Sequence, residues 1–455
     1  MELDVADLAF GGRALARVDG YVVFIDGALP GDRVAARIVR RKPQYAEART
    51  ERIVTPSALR VPQVCSHAGL CGGCRFQDLD YAVQLRHKER QVAECLRHIG
   101  GVTASMRPIL AADALFDYRN KMEYSFGRDR EGLLTLGLHR RGFFDRPFDL
   151  ERCHIAGDLS SDLVACVRDL ARAAGMTPYD TRRHEGLLRF LVVRRGRRTG
   201  QAMVNLVASE GHDEFERWGA VIRERFPAVR SVLLNTTRRR AQVALGDEER
   251  VLSGADRIEE VLGGLTFEIS SSSFFQTNTE QGELLLRTAL EGLALTGDER
   301  VLDLYSGTGT FTLPIARRAR EVIGIESNAA AVRDAERNAA RNEIGNARFM
   351  AGDAMELLRD RFGLDTRDAT PPFERPEIDA VLVDPPRAGL HPGVVSRLIH
   401  LGAPRLTYVS CNPATLGRDL ALLCEERYRT EWVQPIDMFP HTPHIECVAT
   451  LSRRA

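Results

Sequence analysis

Apolar residues change their spacing several times along this chain, and the changes mark out its organisation. Up to about residue 57, short alternating runs such as Gly20-Tyr21-Val22-Val23-Phe24-Ile25 and Asp32-Arg33-Val34-Ala35-Ala36-Arg37-Ile38-Val39 are separated by Gly27-Ala28-Leu29-Pro30-Gly31. Period-two runs punctuated by Gly and Pro predict a small twisted, OB-like barrel, with Gly11-Gly12 and Pro30-Gly31 as turns. From Tyr81 to Ile99 the spacing becomes helical, and after Val102 the chain turns extended. Strands are expected in the middle third over 133–138, 187–193, 201–207 and 232–235. The last third alternates regularly: a helical run near 283–295, then strands over 300–304, 321–325, 346–350, 378–383 and 405–410, with helices over 312–318 and 329–342 between them. That alternation predicts an open, largely parallel sheet with crossover helices and a binding crevice beyond the carboxyl ends of its strands. Thr370-Pro371-Pro372-Phe373 reads as a surface loop. The expected fold class is multidomain α/β: a barrel over 1–57, a central α+β domain over 58–268 and a doubly wound domain over 269–455.

Composition narrows the picture. A chain of 455 residues exceeds what one core usually organises, and 44% apolar content with no long apolar stretch predicts a protein that does not span a membrane. The acidic start Met1-Glu2-Leu3-Asp4 lacks the basic region of a secretory signal, so a cytoplasmic location is expected. Nine cysteines in such a chain do not suggest a disulfide framework. Formal net charge is zero, which excludes a globally basic nucleic-acid binder but not a local basic face. Arg37, Arg40, Arg41 and Lys42 on the barrel predict contact with an RNA backbone. So do Arg182, Arg183, Arg189, Arg194, Arg195, Arg197 and Arg198, and Arg238-Arg239-Arg240, in the middle third.

Four strand ends of the parallel sheet carry candidate cofactor chemistry. Ser306-Gly307-Thr308-Gly309 follows the first strand of the parallel sheet, and Glu326 ends the second, where an acid can accept both hydroxyls of a ribose. The third glycine of a pyrophosphate-binding GxGxxG is missing, which favours S-adenosylmethionine (SAM) over a dinucleotide. Asp353 is placed either to meet an adenine amino group or to cap the next helix. Asp384 ends an apolar strand and is held by Pro385-Pro386.

Cys411 ends another strand, in Ser410-Cys411-Asn412-Pro413, where local backbone N–H groups are expected to lower its pKa. A thiolate is what an unactivated pyrimidine C5 requires. Addition at C6 makes an enolate whose C5 attacks the sulfonium methyl, and a carboxylate must then take the C5 proton. Glu446 is the candidate base, with His441 or His444 orienting it or contacting RNA. Adenine-N6 or guanine-N2 methylation would need no cysteine, and a non-catalytic RNA-binding factor would need neither group. Separately, Cys65, Cys71 and Cys74 are spaced C-x5-C-x2-C around Gly72-Gly73, with Cys153 as a distant fourth thiol. Four thiolates suit zinc or an iron–sulfur cluster, and spacing does not choose.

Taken as a set, these motifs resemble the SAM-dependent RNA uracil-C5 methyltransferases along nearly the whole chain. The matching segments are Gly11-Gly12 and its barrel, the four cysteines, Tyr118-Arg119-Asn120-Lys121, Phe274-Phe275-Gln276-Thr277-Asn278, Asp303-Leu304-Tyr305-Ser306-Gly307, Asp384-Pro385-Pro386-Arg387, Ser410-Cys411-Asn412-Pro413 and Pro440-His441-Thr442-Pro443-His444-Ile445-Glu446. The resemblance implies an N-terminal TRAM barrel, a central RNA-contacting domain and a class I methyltransferase domain. It implies a [4Fe-4S] cluster on Cys65, Cys71, Cys74 and Cys153, SAM contacts from Gln276, Tyr305, Glu326 and Asp384, Cys411 as nucleophile and Glu446 as base. The expected substrate is a flipped uridine in 23S ribosomal RNA, or alternatively the T-loop uridine of tRNA, and the expected state is a monomer.

Overall fold

A computed structural model describes residues 1–455 except Thr103, Phe144, 365–376 and Ala455. The loop expected at 370–373 lies outside the described residues.

The N-terminal alternation becomes a six-stranded sheet that closes on itself. Glu2–Asp4 pairs with Arg33–Arg41 at one edge, and Asp7–Leu8 pairs with Ala14–Val18 at the other. One segment therefore carries both edges, its Val5 N–H bonding to the Asp32 carbonyl and its Ala6 N–H to the Leu15 carbonyl, which draws the edges together. Leu3, Val5, Leu8, Ala16, Val23, Ile25 and Val34 fill the interior, joined by Phe76, Leu79 and Val83 from beyond the barrel.

The central sheet runs in the order Glu248–Gly254, Val229–Thr236, Ala202–Ala208, Leu188–Arg195, Lys121–Arg128, Leu134–Gly137. The helices Gly157–Ala173 and Glu214–Arg225 cover it, with Trp218 and Phe215 fully buried between the layers. The middle-third arginines depart from expectation. Arg189 and Arg194 are only 3% and 4% exposed. Arg189 donates to the carbonyls of Thr237, Arg239 and Ala241, and Arg194 to those of Ser271 and Ser273. Arg195 and Arg197 pair with Asp117, and Arg198 with Glu283. These guanidinium groups tie loops to the sheet, because a fork of N–H donors can satisfy several carbonyls at once. Arg182, Arg183 and Arg238 to Arg240 stay on the surface, as do Arg40, Arg41 and Lys42 on the barrel.

The C-terminal sheet has eight strands in the order Ala347–Ala351, Glu321–Glu326, Arg300–Leu304, Ala380–Val383, Arg405–Ser410, Glu446–Arg453, Tyr428–Ile436, Ser105–Met106. The first five are parallel, and Glu446–Arg453 runs against them. Chain order reverses between Arg300–Leu304 and Ala380–Val383, which opens a crevice at their carboxyl ends. The helix Tyr81–His98 packs beside Pro413–Glu426, so the stretch from 81 to 106 serves this sheet although it precedes the central one in sequence. Among the described residues, no helix is long and apolar enough to cross a membrane.

Candidate active site

Strand register assembles the site. Leu304 is level with both Ile325 and Val383, so Tyr305, Glu326 and Asp384 emerge side by side at the sheet's carboxyl edge. Tyr305 takes a left-handed conformation (φ 67°), and its N–H and that of Ser306 bond to the Ile325 carbonyl. The chain then turns through Gly307 and Gly309, whose φ values of 55° and 86° explain the glycines. Gly307 N–H donates to Glu326 Oε2 (3.1 Å) and Asn328 N–H to Oε1 (2.7 Å), which fixes the Glu326 carboxylate against the loop.

The segment carrying buried Gln276 is tied to the same loop two residues earlier, where the Thr308 hydroxyl donates to the Phe274 carbonyl (3.3 Å). Asn120 Nδ2 moors this segment from the central domain, donating to the Gln276 carbonyl and to Thr279 Oγ1, both at 2.9 Å. Asp353 is an N-cap, accepting from the N–H groups of Met355 and Glu356.

Cys411 and Glu446 meet across an antiparallel pair. Ser410 is level with Cys447, so the next rung sets Cys411 opposite Glu446. Two strands distant in sequence thus bring the thiol and the carboxyl together, with Asp384 and Arg387 adjoining. Asn412 caps the following helix and donates through Nδ2 to the Arg387 carbonyl (3.1 Å), which ties the two motif turns together.

Electrostatics in the crevice are dominated by buried acid. Burial pushes the Asp303 carboxyl up to about 8, against a 2.5 Å hydrogen bond from the Thr312 hydroxyl, and its Oδ1 has no partner. Asp384 rises to about 7 by burial. Glu446, 8% exposed, is pushed well above the carboxylate range by burial and then by Asp384, with Arg387 opposing. The Cys411 thiol also goes up, to about 11, because burial and the neighbouring Glu446 and Asp384 outweigh Arg387 and a backbone N–H. The expected lowering of that thiol is therefore corrected: a strand-end N–H is too weak to overcome desolvation beside two acids. Such a crevice complements a cationic ligand.

Arg387 and Asp303 had no assigned role in the sequence reading. The available signal was an acid inside the apolar strand Val301-Leu302-Asp303-Leu304 and a cation directly after a rigid Pro-Pro turn.

The four cysteines Cys65, Cys71, Cys74 and Cys153 line one cavity of about 620 Å³, together with Arg119, Lys121 and His444. Burial raises the Cys74 thiol to about 12 and Cys153 to about 11, and the neighbouring cysteines push each further the same way. Among the described residues, no three His, Cys, Asp or Glu side chains are grouped to hold a single metal ion. His441 is buried and His444 lies on the surface beside the cavity, and desolvation lowers both imidazoles, to about 4. His441 stacks on Phe116 (4.6 Å), while His444 meets the edge of Phe439.

Comparison with known proteins agrees with this geometry. The tRNA (uracil-5-)-methyltransferase family profile matches residues 239–454, and the TRAM domain profile matches residues 1–50. An uncharacterized RNA methyltransferase of Gloeobacter violaceus is 40% identical over 452 residues, covering 99% of this chain and 95% of the relative. One from Halalkalibacterium halodurans is 38% identical over 454 residues, covering 99% and 96%. The crystal structure of Pyrococcus abyssi tRNA (uracil-54, C5)-methyltransferase in complex with S-adenosyl-L-homocysteine superposes with a TM-score of 0.78 at 29% identity, covering 99% of this chain and all of that one.

Proposed function

The chain belongs to the family of SAM-dependent RNA uracil-C5 methyltransferases, and on that premise we propose that it methylates C5 of one uridine through a covalent adduct between Cys411 and C6. The observation that carries this reading is the strand register that sets Cys411 opposite Glu446 beside the Asp384 turn. Gln276, Tyr305, Glu326 and Asp384 line the cofactor crevice, Glu326 receiving the ribose hydroxyls. When bound, SAM supplies an electrophilic methyl on a sulfonium cation. Thiolate addition to C6 pushes electron density onto C5, which takes that methyl. Glu446 then removes the C5 proton, the C5–C6 double bond re-forms, and the thiolate leaves. Burial makes Glu446 a stronger base than an exposed carboxylate, which suits a carbon acid. Arg387 is the nearby cation that offsets the charge on thiolate and carboxylate.

The acidic crevice gives a pH dependence. With Asp384 near 7 and Asp303 near 8, the empty site is largely protonated at pH 6. A cationic sulfonium favours the ionised carboxylates, so SAM binding releases protons and SAM affinity rises with pH. S-adenosylhomocysteine shares the rest of the molecule without that charge. The preference for SAM over S-adenosylhomocysteine is therefore expected to grow by about 3- to 10-fold from pH 6 to 8. Calorimetric titration of both ligands at the two pH values checks this, and a constant ratio refutes it.

Four thiols converging on one cavity fit a [4Fe-4S] cluster held by Cys65, Cys71, Cys74 and Cys153. Among the described residues the wall carries one carboxylate, Glu123, and no pair for a hard cation; burial disfavours the thiolates of Cys71, Cys74 and Cys153 without a metal, and the space exceeds one ion. Bound there, a cluster would cross-link the 65–74 loop to Cys153 and shape an RNA-contacting wall. Iron and sulfide in anaerobically purified protein, lost in Cys153→Ser, are the expected result. Protein without iron at full activity would remove the cluster from this account.

RNA is the substrate class, and 23S ribosomal RNA is our preferred target, with the tRNA T-loop uridine as the second reading. The second draws support from the Pyrococcus abyssi enzyme, whose structure covers the same length. We read the partition as barrel 1–57, central domain 58–268, from which Tyr81–His98 and Ser105–Met106 pack onto the C-terminal sheet, and methyltransferase domain 269–455, acting as a cytoplasmic monomer. Mass-spectrometric mapping of 5-methyluridine in RNA from cells with and without this gene decides the substrate. A mark that disappears from one RNA class names it, and no change in any class refutes the function.

A further inference from the structure

The Glu446 carboxylate has no direct holder. Among the described residues, nothing hydrogen-bonds its side chain, although its residue is 8% exposed. Its position comes from the backbone alone. Glu446 is the last rung of the ladder between Tyr428–Ile436 and Glu446–Arg453, where it pairs with Ile436. Residues 437–445 form the connection, and whatever fixes that connection aims the carboxylate.

The connection is gripped at His441. This residue holds a left-handed conformation (φ 66°), which costs a non-glycine residue about 1 kcal/mol or more and persists only where the surroundings impose it. Gln84, buried on the Tyr81–His98 helix, accepts the His441 N–H through Oε1 (3.1 Å). Its Nε2 donates to the carbonyls of Phe76 (2.9 Å) and Leu79 (2.8 Å), with His441 Nδ1 at 3.3 Å. The amides of Arg75 and Phe76, just past Cys74, donate in turn to the His441 carbonyl (2.8 and 3.1 Å). From the barrel, a Cβ on Gly12 would lie 2.9 Å from both Pro443 Cβ and Phe76 Cζ, so that turn presses on the same connection. One amide side chain thus closes a ring of hydrogen bonds joining the four-cysteine loop to the turn before Glu446. Cys411 sits outside this ring, in a turn closed by hydrogen bonds between the Ser410 hydroxyl and the Asn412 backbone (3.1 and 3.2 Å).

We propose that Gln84 is a positioning residue for the catalytic base: it fixes the His441 turn against the four-cysteine loop and so aims Glu446 at the C5 proton. The inference rests on the roles given above to Cys411 and Glu446. It separates two steps. Methyl transfer needs the Cys411 sulfur on C6 and the methyl donor, both outside this ring of bonds. Resolution needs Glu446: the C5–H electron pair becomes the C5–C6 double bond, the C6–S pair returns to sulfur, and the proton moves to the carboxylate. Misplacing the base leaves a methylated adduct standing.

The test compares the wild type with Gln84→Met, similar in volume but without donor or acceptor, and Gln84→Glu, which keeps the acceptor for the His441 N–H. Undermodified total RNA from cells lacking the gene serves as substrate, with methyl-labelled SAM. Rapid quench reads the first methyl transfer, denaturing gels read the protein–RNA adduct, and steady state reads release. Gln84→Met is expected to transfer its first methyl within about twofold of wild type, while adduct rises and steady-state turnover falls by about tenfold. Gln84→Glu should fall between the two. Parallel loss of both steps without adduct, or no change in either, overturns the proposal. If Gln84→Met does not fold, Gln84→Glu decides alone, adduct accumulation supporting the proposal and its absence overturning it. Turnover surviving in Cys411→Ala would instead sink the underlying reading, a failure visible without any change at Gln84.

Discussion

Cys411→Ala is expected to lower turnover by ~10⁴-fold or more and to abolish the covalent complex with 5-fluorouridine RNA. The size follows from the chemistry. C5 of uracil has no lone pair to offer, and since the neighbouring Cys447 thiol is fully buried, Cys411 is, among the described residues, the thiol placed to add to C6. Fluorine at C5 leaves no proton for Glu446 to remove, so the methylated adduct of the wild type cannot resolve and should be recovered on residue 411. Cys424→Ala is the control, since that thiol hydrogen-bonds the Thr430 hydroxyl (3.2 Å) and packs on the core of the C-terminal sheet. Turnover within tenfold of wild type in Cys411→Ala would rule out the covalent route. The thiol's rise to about 11 adds a sign to the same experiment. Thiolate is scarce at neutral pH, so the rate of adduct formation should climb with pH through 7 to 9 rather than plateau.

Glu446→Gln is expected to cut steady-state turnover by about 10²- to 10⁴-fold while leaving one methyl transfer per enzyme. The amide is close in shape and cannot accept the proton, so the step after transfer stops. Quenching on a denaturing gel should then show enzyme trapped on ordinary RNA, with the label of the transferred methyl in the trapped band. Removing a buried acid that is costly to ionise also relieves desolvation, so the variant should be no less stable than the wild type in urea unfolding. A variant that forms no adduct and transfers no methyl would move Glu446 from proton removal to an earlier role.

Local spacing along the chain specifies some elements closely and leaves others to packing. Strands at 300–304 and 405–410 have the extents predicted for them, because short apolar runs bounded by acid, Gly or Pro admit no other period. The helix predicted around 283–295 in fact spans Thr279–Leu293, starting where Asn278 caps it. Caps and turns need geometry that spacing lacks. Among the arginines of 182–198, a linear charge cluster could not distinguish Arg183 in solvent from Arg194 buried under two serine carbonyls. Burial is a property of the packed chain.

By itself the sequence determined the N-terminal barrel and the parallel order of strand and helix in the C-terminal sheet, since each is written in local periodicity. Only the tertiary structure decided that Cys411 faces Glu446, that their neighbours raise rather than lower the thiol's pKa, and that Gln84, some 360 residues from the base (441 is 357 positions away), stands in the ring of bonds behind it. Those are statements about distance and desolvation between residues far apart along the chain. They exist only once strand register and packing have closed.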